Sequence, residues 1–268
     1  MVPRSLGPDK WDDRTFSLDR KQVPEDRVNQ DLARNRPVQW YSYAMRALVA
    51  LLSTLFFAQV ATAQNTISFP TQDGGVVFAD VYGTGNRAVV LAHGGPFDKE
   101  SWKTQAERLV AAGFQVLALD FRGYGKSRGP GDSDSMDAPL HLDVLAAVRY
   151  LRKNGAKSVS VVGGSMGGAA AADACIFSQP GEIDRVVLLG AHPNGPAEKL
   201  KCPSLFIVAR DDASEDGPRL PKIRADYEKV PRPKRLIILD GSAHAQSLFQ
   251  TDQGERVMRE ILRFLSAK

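Results

Sequence analysis

The stretch Val161-Val162-Gly163-Gly164-Ser165-Met166-Gly167-Gly168 decides the fold, because it joins an apolar strand pattern to a glycine-rich turn and then to a helix start. The run from Ser158 to Val162 is typical of a strand buried in a parallel sheet. Glycines around Ser165 allow a tight turn that would hold this hydroxyl exposed as a nucleophile. The N–H groups and the positive dipole end of the following helix would stabilise an anion beside it. By itself, G-x-S-x-G also fits an ordinary βα turn rich in small residues, so the surrounding chain must decide.

A carboxylate and an imidazole follow the later strands in the order that such a nucleophile requires. Asp212 comes shortly after the apolar run 203–209, and His244 follows the run 235–239. Loops beyond the carboxyl ends of parallel strands converge on one crevice. There, His244 would accept the Ser165 proton and return it to the leaving group, while Asp212 would fix the imidazole tautomer. Taken alone, the aspartate could be a turn cap and the histidine an ordinary surface residue. Their order along the chain, after Ser165, is what predicts a catalytic triad.

A second glycine-rich turn provides a place for the negative oxygen of a tetrahedral intermediate. His93-Gly94-Gly95-Pro96 follows the strand pattern Ala88 to Ala92, at the same edge of the sheet as the nucleophile. The best pair of oxyanion donors is the backbone N–H of Gly95 and that of Met166, since proline has no N–H. His93 is interpreted as a structural residue that supports this loop by hydrogen bonding.

These motifs resemble those of the α/β-hydrolase superfamily, in particular its lidless, esterase-like serine hydrolases. The resemblance covers almost everything after residue 65 and rests on His93 to Pro96, Asp120-Phe121-Arg122-Gly123-Tyr124-Gly125-Lys126-Ser127, Gly163 to Gly168, Asp212 and His244. It implies that the D-x-R-G-x-G-x-S segment shapes the back of the site, so that Asp120 and Arg122 are structural. The second of two adjacent aspartates usually supplies the acid after a G-x-x-D ending. Here Ala209 replaces that glycine, which leaves Asp211 as a lesser candidate.

Strand and helix patterns alternate along the chain, which predicts an α/β fold with a doubly wound, mainly parallel sheet of the α/β-hydrolase type and without a cap domain. The predicted strands are 67–70, 75–82, 87–92, 115–120, 157–163, 184–190, 203–209 and 234–239. The predicted helices are 99–112, 138–154, 166–178, 217–229 and 246–266.

Only Gly190 to Cys202 separates two of the predicted strands, where many members of the superfamily insert a helical lid. We therefore predict an open, shallow cleft, rimmed by Phe97, the loop 127–137 and the segment 191–194. Phe97 and His192 are candidate substrate contacts, although a loop histidine is more often solvated. An open cleft makes long-chain triglycerides poor candidate substrates.

Composition is ordinary for one globular domain, with 43% hydrophobic residues and a net charge of +4. The sequence has no cluster of Lys and Arg interleaved with aromatic residues, which disfavours nucleic-acid binding. The four histidines are far apart and there is no C-x-x-C, so we predict neither a metal nor a cofactor.

The N-terminal quarter is interpreted separately. Residues 1–44 are polar and aperiodic, and we predict a non-native or disordered extension with the true start at Met45. Residues 45–63 read as a signal peptide, with a basic start, an apolar centre too short to span a membrane well, and an A-x-A site. The catalytic domain would be 64–268, exported to the periplasm or secreted, without a stable membrane anchor. The alternative is an uncleaved signal anchor.

Export to an oxidising compartment would permit the two cysteines to form a disulfide. Cys175 lies about three turns into the helix after Ser165, and Cys202 stands just before a strand at the same edge of the sheet. A disulfide between them and a pair of buried thiols are both compatible with the sequence.

The leading hypothesis is a serine esterase that acts on small or soluble carboxylic esters through an acyl-enzyme on Ser165. A peptidase or amidase with the same triad is the runner-up, and a serine rather than an aspartate nucleophile disfavours a dehalogenase. A secreted binding protein on a non-catalytic hydrolase scaffold is the hypothesis from another class. Acyl specificity and oligomeric state depend on loops and stay open.

Overall fold

A computed structural model describes residues 65–132 and 138–267 of the chain. The predicted extension 1–44, the predicted signal peptide 45–63 and part of the rim loop, residues 133–137, lie outside the described residues. The domain boundaries predicted from the sequence therefore stay predictions.

Apart from a short hairpin between residues 213 and 218, the strands and helices follow one another in the order that the sequence predicts. The strands are β1 (Asn65–Pro70), β2 (Val76–Tyr82), β3 (Arg87–Ala92), β4 (Gln115–Leu119), β5 (Ser158–Gly164), β6 (Arg185–Leu189), β7 (Ser204–Ala209), the short β8 (Ala213–Ser214) and β9 (Gly217–Pro218), and β10 (Lys234–Leu239). The α-helices are α1 (Lys103–Ala111), α2 (Leu140–Lys153), α3 (Met166–Phe177), α4 (Arg219–Lys229) and α5 (Gly254–Ser266).

Eight strands form one sheet in the order β1-β2-β4-β3-β5-β6-β7-β10. β2 pairs antiparallel with β1 and β4, and the pairs from β4 to β10 are parallel. All six residues of β7 are buried, as expected for a strand covered on both faces. The carboxyl ends of β3, β5, β7 and β10 therefore open onto one edge of the sheet, where the candidate site lies.

The core has one apolar layer on each face of the sheet. Along β3, Val90 packs in the layer shared with α2, α3 and α4, and its neighbour Leu91 packs in the layer shared with α1 and α5. This alternation follows from the period of two in a strand. The doubly wound, mainly parallel sheet predicted from the sequence is thus confirmed.

Three helices begin with a feature that the sequence did not predict. The first helix begins with a 3-10 turn, Lys99–Trp102, and the helix predicted at 217–229 begins at Arg219 after the β8-β9 hairpin. The last helix is interrupted: a 3-10 helix, Ala245–Gln250, precedes α5, which begins at Gly254. A Cβ at Gly254 would lie 2.4 Å from the Phe249 carbonyl oxygen, so only glycine permits this close approach.

The connection from β6 to β7 holds one 3-10 helix, Ala197–Lys199, and no cap domain. Just before β7, Cys202 forms a disulfide with Cys175 of α3, with the Cα atoms 6.4 Å apart. Of the two alternatives that the sequence left open, the structure therefore has the bonded one. No helix within the described ranges combines the length and the apolar character needed to cross a bilayer.

Candidate active site

Ser165 occupies a strained turn between β5 and α3. Its φ of +53° and ψ of −121° fall in a region that residues with a side chain rarely adopt, at a typical cost of about 1–3 kcal/mol. The Ser165 N–H donates to the Leu189 carbonyl at 2.9 Å, which ties the turn to β6. Strain of this kind persists only where the surrounding structure enforces it, and it is common at functional sites.

Two glycines of the motif are required by close backbone approach. A Cβ at Gly163 would lie 2.2 Å from the Gly167 carbonyl oxygen, and a Cβ at Gly167 would lie 2.3 Å from the carbonyl oxygen of Ala92 in β3. Both distances are far below van der Waals contact. The first turn of α3 therefore sits directly on the strands, as the small residues of the motif predict.

The structure brings Ser165, His244 and Asp212 together. Ser165 Oγ lies 2.8 Å from His244 Nε2, and His244 Nδ1 lies 2.8 Å from Asp212 Oδ2. The Asp212 carboxylate can only accept, so Nδ1 carries a proton in this pair and Nε2 of the neutral ring is the acceptor for the serine hydroxyl. Asp212 is completely buried, which strengthens its interaction with the ring.

Asp211, the lesser candidate, does not face the imidazole. Its side chain is exposed, and its N–H donates to the Gly241 carbonyl at 3.0 Å, which joins the loops after β7 and β10. The structure therefore places Asp212, and not Asp211, beside His244.

Arg219 is a neighbour of the acid that sequence reasoning missed. Its Nε lies 3.4 Å from Asp212 Oδ1, the carboxylate oxygen that does not face His244. The backbone reinforces the approach, since the Arg219 N–H donates to the Asp212 carbonyl at 2.9 Å. The β8-β9 hairpin returns the chain to Asp212, and no pattern in the sequence signals this seven-residue excursion.

Gly190 is a second residue that sequence reasoning missed. It follows β6 with a φ of +59°, and a Cβ there would lie 3.0 Å from His244 Nδ1 and 3.1 Å from Asp212 Oδ2. A side chain at this position would push into the imidazole–carboxylate hydrogen bond. A glycine directly after a strand, in a loop expected at the same edge, is the signal that could have found it.

The predicted oxyanion loop lies beside the nucleophile. A Cβ on Gly94 would be 3.4 Å from Ser165 Cβ, so the two turns are in direct contact. The Gly94 N–H is already used, since it donates to Gln246 Oε1 at 2.7 Å. No acceptor among residues 65–132 and 138–267 takes the N–H of Gly95 or of Met166, the pair predicted from the sequence.

His93 is fully buried beneath this loop. Its Nε2 accepts the Phe121 N–H at 3.2 Å, which leaves Nδ1 to donate to the Gly94 carbonyl at 2.9 Å. Burial lowers the pKa of His93 to about 4, so the ring is neutral at physiological pH. These contacts fit the supporting role predicted for His93.

The segment Asp120 to Ser127 makes structural contacts. Asp120 accepts the Lys99 N–H at 2.8 Å. Arg122 is buried and binds both Asp143 Oδ1 and Asp73 Oδ2 at 2.6 Å. The hydrogen bonds from Arg122 lower the pKa of Asp73 to about 2. Asp120 and Arg122 thus hold the loops behind the site, as the resemblance implies.

A cleft of about 430 Å³ opens at Ser165. It mixes small apolar with polar side chains and is lined by Ala138, Leu140, His141, Ser165, Met166, Ala169, Ala170, Asp173, Gly190, Ala191, His192, Asn194, Ser214, Asp216, Arg219 and Lys222. Asp173 shapes one wall by accepting the N–H groups of Asn194 and Gly195, at 3.0 and 2.9 Å.

The structure brings one of the two candidate substrate contacts to this cleft. His192 lines it, with Nδ1 3.1 Å from Asp226 Oδ2. Phe97 is not among the residues that line this cleft; its N–H donates to the Gly94 carbonyl at 3.0 Å, in the turn that precedes the 3-10 helix at Lys99. Gly95 and His244 are not among those lining residues either, so the role of Phe97 as a substrate contact stays a prediction.

Within the residues that the structure describes, no group of three or more His, Cys, Asp or Glu side chains is placed to hold a metal ion.

Comparison with known proteins shows the family to which this chain belongs. A family model described as the alpha/beta hydrolase fold matches residues 87–229, more than half of the 268 residues. A non-heme haloperoxidase from Rhodococcus erythropolis is 35% identical over 121 residues, 45% of this chain and 42% of that protein. A 2-hydroxy-6-oxononadienedioate/2-hydroxy-6-oxononatrienedioate hydrolase from Cupriavidus pinatubonensis is 33% identical over 199 residues, 72% of this chain and 65% of that protein. The chain spans about half the length of the first curated relatives it matches.

Among solved structures, an esterase from Pyrococcus furiosus shares the fold. It superposes with a TM-score of 0.64 at 20% sequence identity, over 76% of this chain and 92% of that esterase. At this identity the likeness is one of fold.

Proposed function

This chain belongs to the α/β-hydrolase family, and from that premise we propose that it is a serine hydrolase that cleaves small or soluble carboxylic esters. The observation that carries the proposal is the pair of 2.8 Å hydrogen bonds that link Ser165 Oγ to His244 and His244 to Asp212. A hydroxyl is a weak nucleophile unless a base can take its proton, and this arrangement supplies the base and its orienting carboxylate.

Acylation would proceed through a tetrahedral intermediate. Ser165 Oγ attacks the ester carbonyl carbon as its proton passes to His244 Nε2, and the carbonyl oxygen becomes an oxyanion near the N–H groups of Gly95 and Met166. Asp212 stabilises the imidazolium. The intermediate then collapses: the bond to the alcohol oxygen breaks, and His244 donates its proton to the departing alcohol. This leaves an acyl-enzyme on Ser165.

Deacylation repeats these steps with water as the nucleophile. His244 takes a proton from the water as its oxygen attacks the acyl carbonyl, and the same N–H groups hold the second oxyanion. Breaking the bond to Ser165 Oγ releases the carboxylic acid and returns the proton to the serine.

The size and openness of the cleft support a small substrate. A volume of about 430 Å³, next to a short β6-β7 connection without a cap, offers room for a compact acyl or alcohol group. More than half of the residues that line the cleft carry polar or charged side chains, which favours a soluble ester over a long lipid chain.

The test uses aryl esters of graded acyl length beside the matching anilides, together with a fluorophosphonate probe. We expect short-chain esters to be hydrolysed and Ser165 to be labelled. Ser165→Ala should lose at least about 1,000-fold in kcat and all labelling, because the remaining oxyanion donors cannot replace the nucleophile. Ser178→Ala, at the buried far end of α3, is the matched control and should keep both.

Anilides hydrolysed faster than esters would shift the assignment to an amidase or peptidase. A wild-type chain that neither turns over any ester or anilide nor reacts with the probe would leave the scaffold as a binding protein. Full hydrolysis by Ser165→Ala would overturn the role of Ser165.

We also propose that the chain is exported and that its signal segment, residues 45–63, is removed. The Cys175–Cys202 disulfide supports this location, because disulfides persist in oxidising compartments such as the periplasm. Cell fractionation and mass spectrometry of the isolated protein test it, and we expect a soluble periplasmic or secreted chain that begins near Gln64. A membrane-bound chain that keeps the segment would indicate a signal anchor, and a reduced cytosolic chain would overturn export.

A further inference from the structure

Gln246 is buried beside the catalytic centre, yet the mechanism above does not use it. It lies two residues after His244 and is only 6% exposed. Its Oε1 accepts the Gly94 N–H at 2.7 Å, and its Nε2 donates to Ser101 Oγ at 2.9 Å. One short segment therefore carries the base and also reaches the loop that is to hold the oxyanion.

The orientation of the Gln246 amide follows from its partners. The Gly94 N–H can only donate, so it must face the amide oxygen. The Ser101 hydroxyl donates its own proton to the Asp98 carbonyl and is free to accept from the amide nitrogen. Both ends of the amide are thus satisfied in one arrangement, which a flipped amide would not achieve.

Glycines make room for this side chain. A Cβ at Gly164 would lie 3.3 Å from Gln246 Cγ, and a Cβ at Gly94 would lie 3.5 Å from Gln246 Oε1. The amide therefore lies between the oxyanion loop and the turn that carries Ser165. Movement of either turn would break its contacts.

The contacts of Gly94 determine where the Gly95 N–H points. The Gly94 carbonyl accepts from His93 Nδ1 at 2.9 Å and from the Phe97 N–H at 3.0 Å. A trans peptide is planar, with its C=O and N–H directed to opposite sides, so fixing the Gly94 oxygen fixes the Gly95 N–H. Gln246 fixes the preceding peptide through the Gly94 N–H and removes that group from the set of oxyanion donors.

The backbone between His244 and Gln246 is strained. Ala245 has a φ of +48°, a left-handed conformation that is uncommon for a residue with a side chain. This turn lets His244 reach Ser165 while Gln246 reaches Gly94.

We infer that Gln246 is a positioning residue that holds the Gly94–Gly95 turn so that the Gly95 N–H meets the oxyanion. The inference rests on the proposed function and adds to it a physical link between the base and the oxyanion site. Gln246 acts through the loop and does not itself touch the reacting atoms.

The test compares Gln246→Met with wild type. Methionine has a similar size but cannot bind the Gly94 N–H. We expect kcat on a short-chain aryl ester to fall about 10- to 100-fold with KM within about 2-fold, since the loss falls on the transition state. The affinity for an alkyl boronic acid, which forms a tetrahedral adduct with the serine, should fall by a similar factor. Gln250→Met, an exposed position in the same 3-10 helix, is the matched control and should behave as wild type.

Ser101→Ala provides a second measurement if Gln246→Met does not fold. It keeps the Gln246 side chain but removes the acceptor for its Nε2, and we expect a fall of about 2- to 5-fold in kcat with KM unchanged. Equal kcat and boronic acid affinity in wild type and Gln246→Met, or a change in KM alone, would overturn the inference. If Gln246→Met does not fold, an unchanged kcat in Ser101→Ala would overturn the inference. A wild type that hydrolyses no ester and takes up no fluorophosphonate would overturn the proposed function, and the inference with it.

Discussion

The candidate site has two halves that are held by different forces: a nucleophile half around Ser165, and a polar half that comprises His244, Asp212 and the oxyanion loop. Around Ser165, backbone atoms are so close that a single methyl group at Gly163 or Gly167 would clash. Around His244 and the oxyanion loop, polar side chains do the holding: Gln246 binds the Gly94 N–H, His93 binds the Gly94 carbonyl, and Arg219 approaches Asp212. Steric restraint leaves little room for adjustment, whereas a hydrogen-bonded loop can be weakened by degrees. The first half should therefore respond to substitution abruptly, and the second in graded steps.

Gly167→Ala should break the nucleophile half most severely. The added methyl would lie 2.3 Å from the Ala92 carbonyl oxygen and 2.5 Å from that of His93, and these atoms belong to β3 and its following turn. We expect a loss of at least about 3 kcal/mol in the free energy of unfolding, or no folded protein at all. Urea unfolding measures it. Gly181→Ala is the control: φ is +77° but the space is open, so a cost of only about 1 kcal/mol is expected. Near-equal losses in the two variants would contradict steric restraint.

The free energy of unfolding should depend on pH through His93, which supports the oxyanion loop of the polar half. Burial lowers its pKa to about 4 from 6.5, so between these values the unfolded chain binds more protons than the folded chain. The stabilisation is complete above about pH 6.5 and is lost as the pH falls toward 4. From this histidine we expect about 2 kcal/mol less unfolding free energy at pH 5 than at pH 7.5.

Urea unfolding of wild type and His93→Gln at both pH values isolates this contribution. The glutamine amide cannot titrate, so the variant should show a smaller loss between the two values, while carboxylates elsewhere affect both proteins alike. The same pH dependence in the two proteins would show that His93 is not buried in its neutral form.

Arg219→Gln should give the smallest of these effects, because it removes only one of the polar contacts that hold this half of the site. Its Nε lies 3.4 Å from the Asp212 oxygen that faces away from His244, so removing the charge leaves that oxygen without its cation. We expect about a 10-fold fall in kcat/KM on a short-chain ester, equivalent to about 1.4 kcal/mol. Arg224→Gln, exposed on the same helix, is the control. A loss as large as that of Ser165→Ala would mean that this half is not graded.

The nucleophile turn could be predicted from the sequence because neighbouring residues encode it. Gly163, Ser165 and Gly167 lie within five positions, and the strand before them and the helix after them are both evident in the residue pattern. Asp212 and His244 could be placed because each follows a strand of a parallel sheet, which brings their loops to one edge. Fold class and candidate triad thus depend on local patterns and one topological rule.

The remaining contacts depend on distances that no local pattern records. Gln246 and Gly94 are 152 positions apart, and their hydrogen bond exists only once β3 and β10 are in place. Arg219 reaches Asp212 through a hairpin of two-residue strands, which are too short to show a periodicity.

The disulfide closes a covalent ring around one wall of the cleft. Cys175 and Cys202 are 27 positions apart, and the segment between them includes β6, Gly190 and His192. A single proteolytic cut in the loop after β6 would therefore leave both fragments joined, and only a reducing gel would separate them. The same ring restricts the unfolded chain, at a calculated gain of about 3.5 kcal/mol for a loop of this length. Protein made in a reducing cytoplasm would lack this disulfide and would lose that stabilisation.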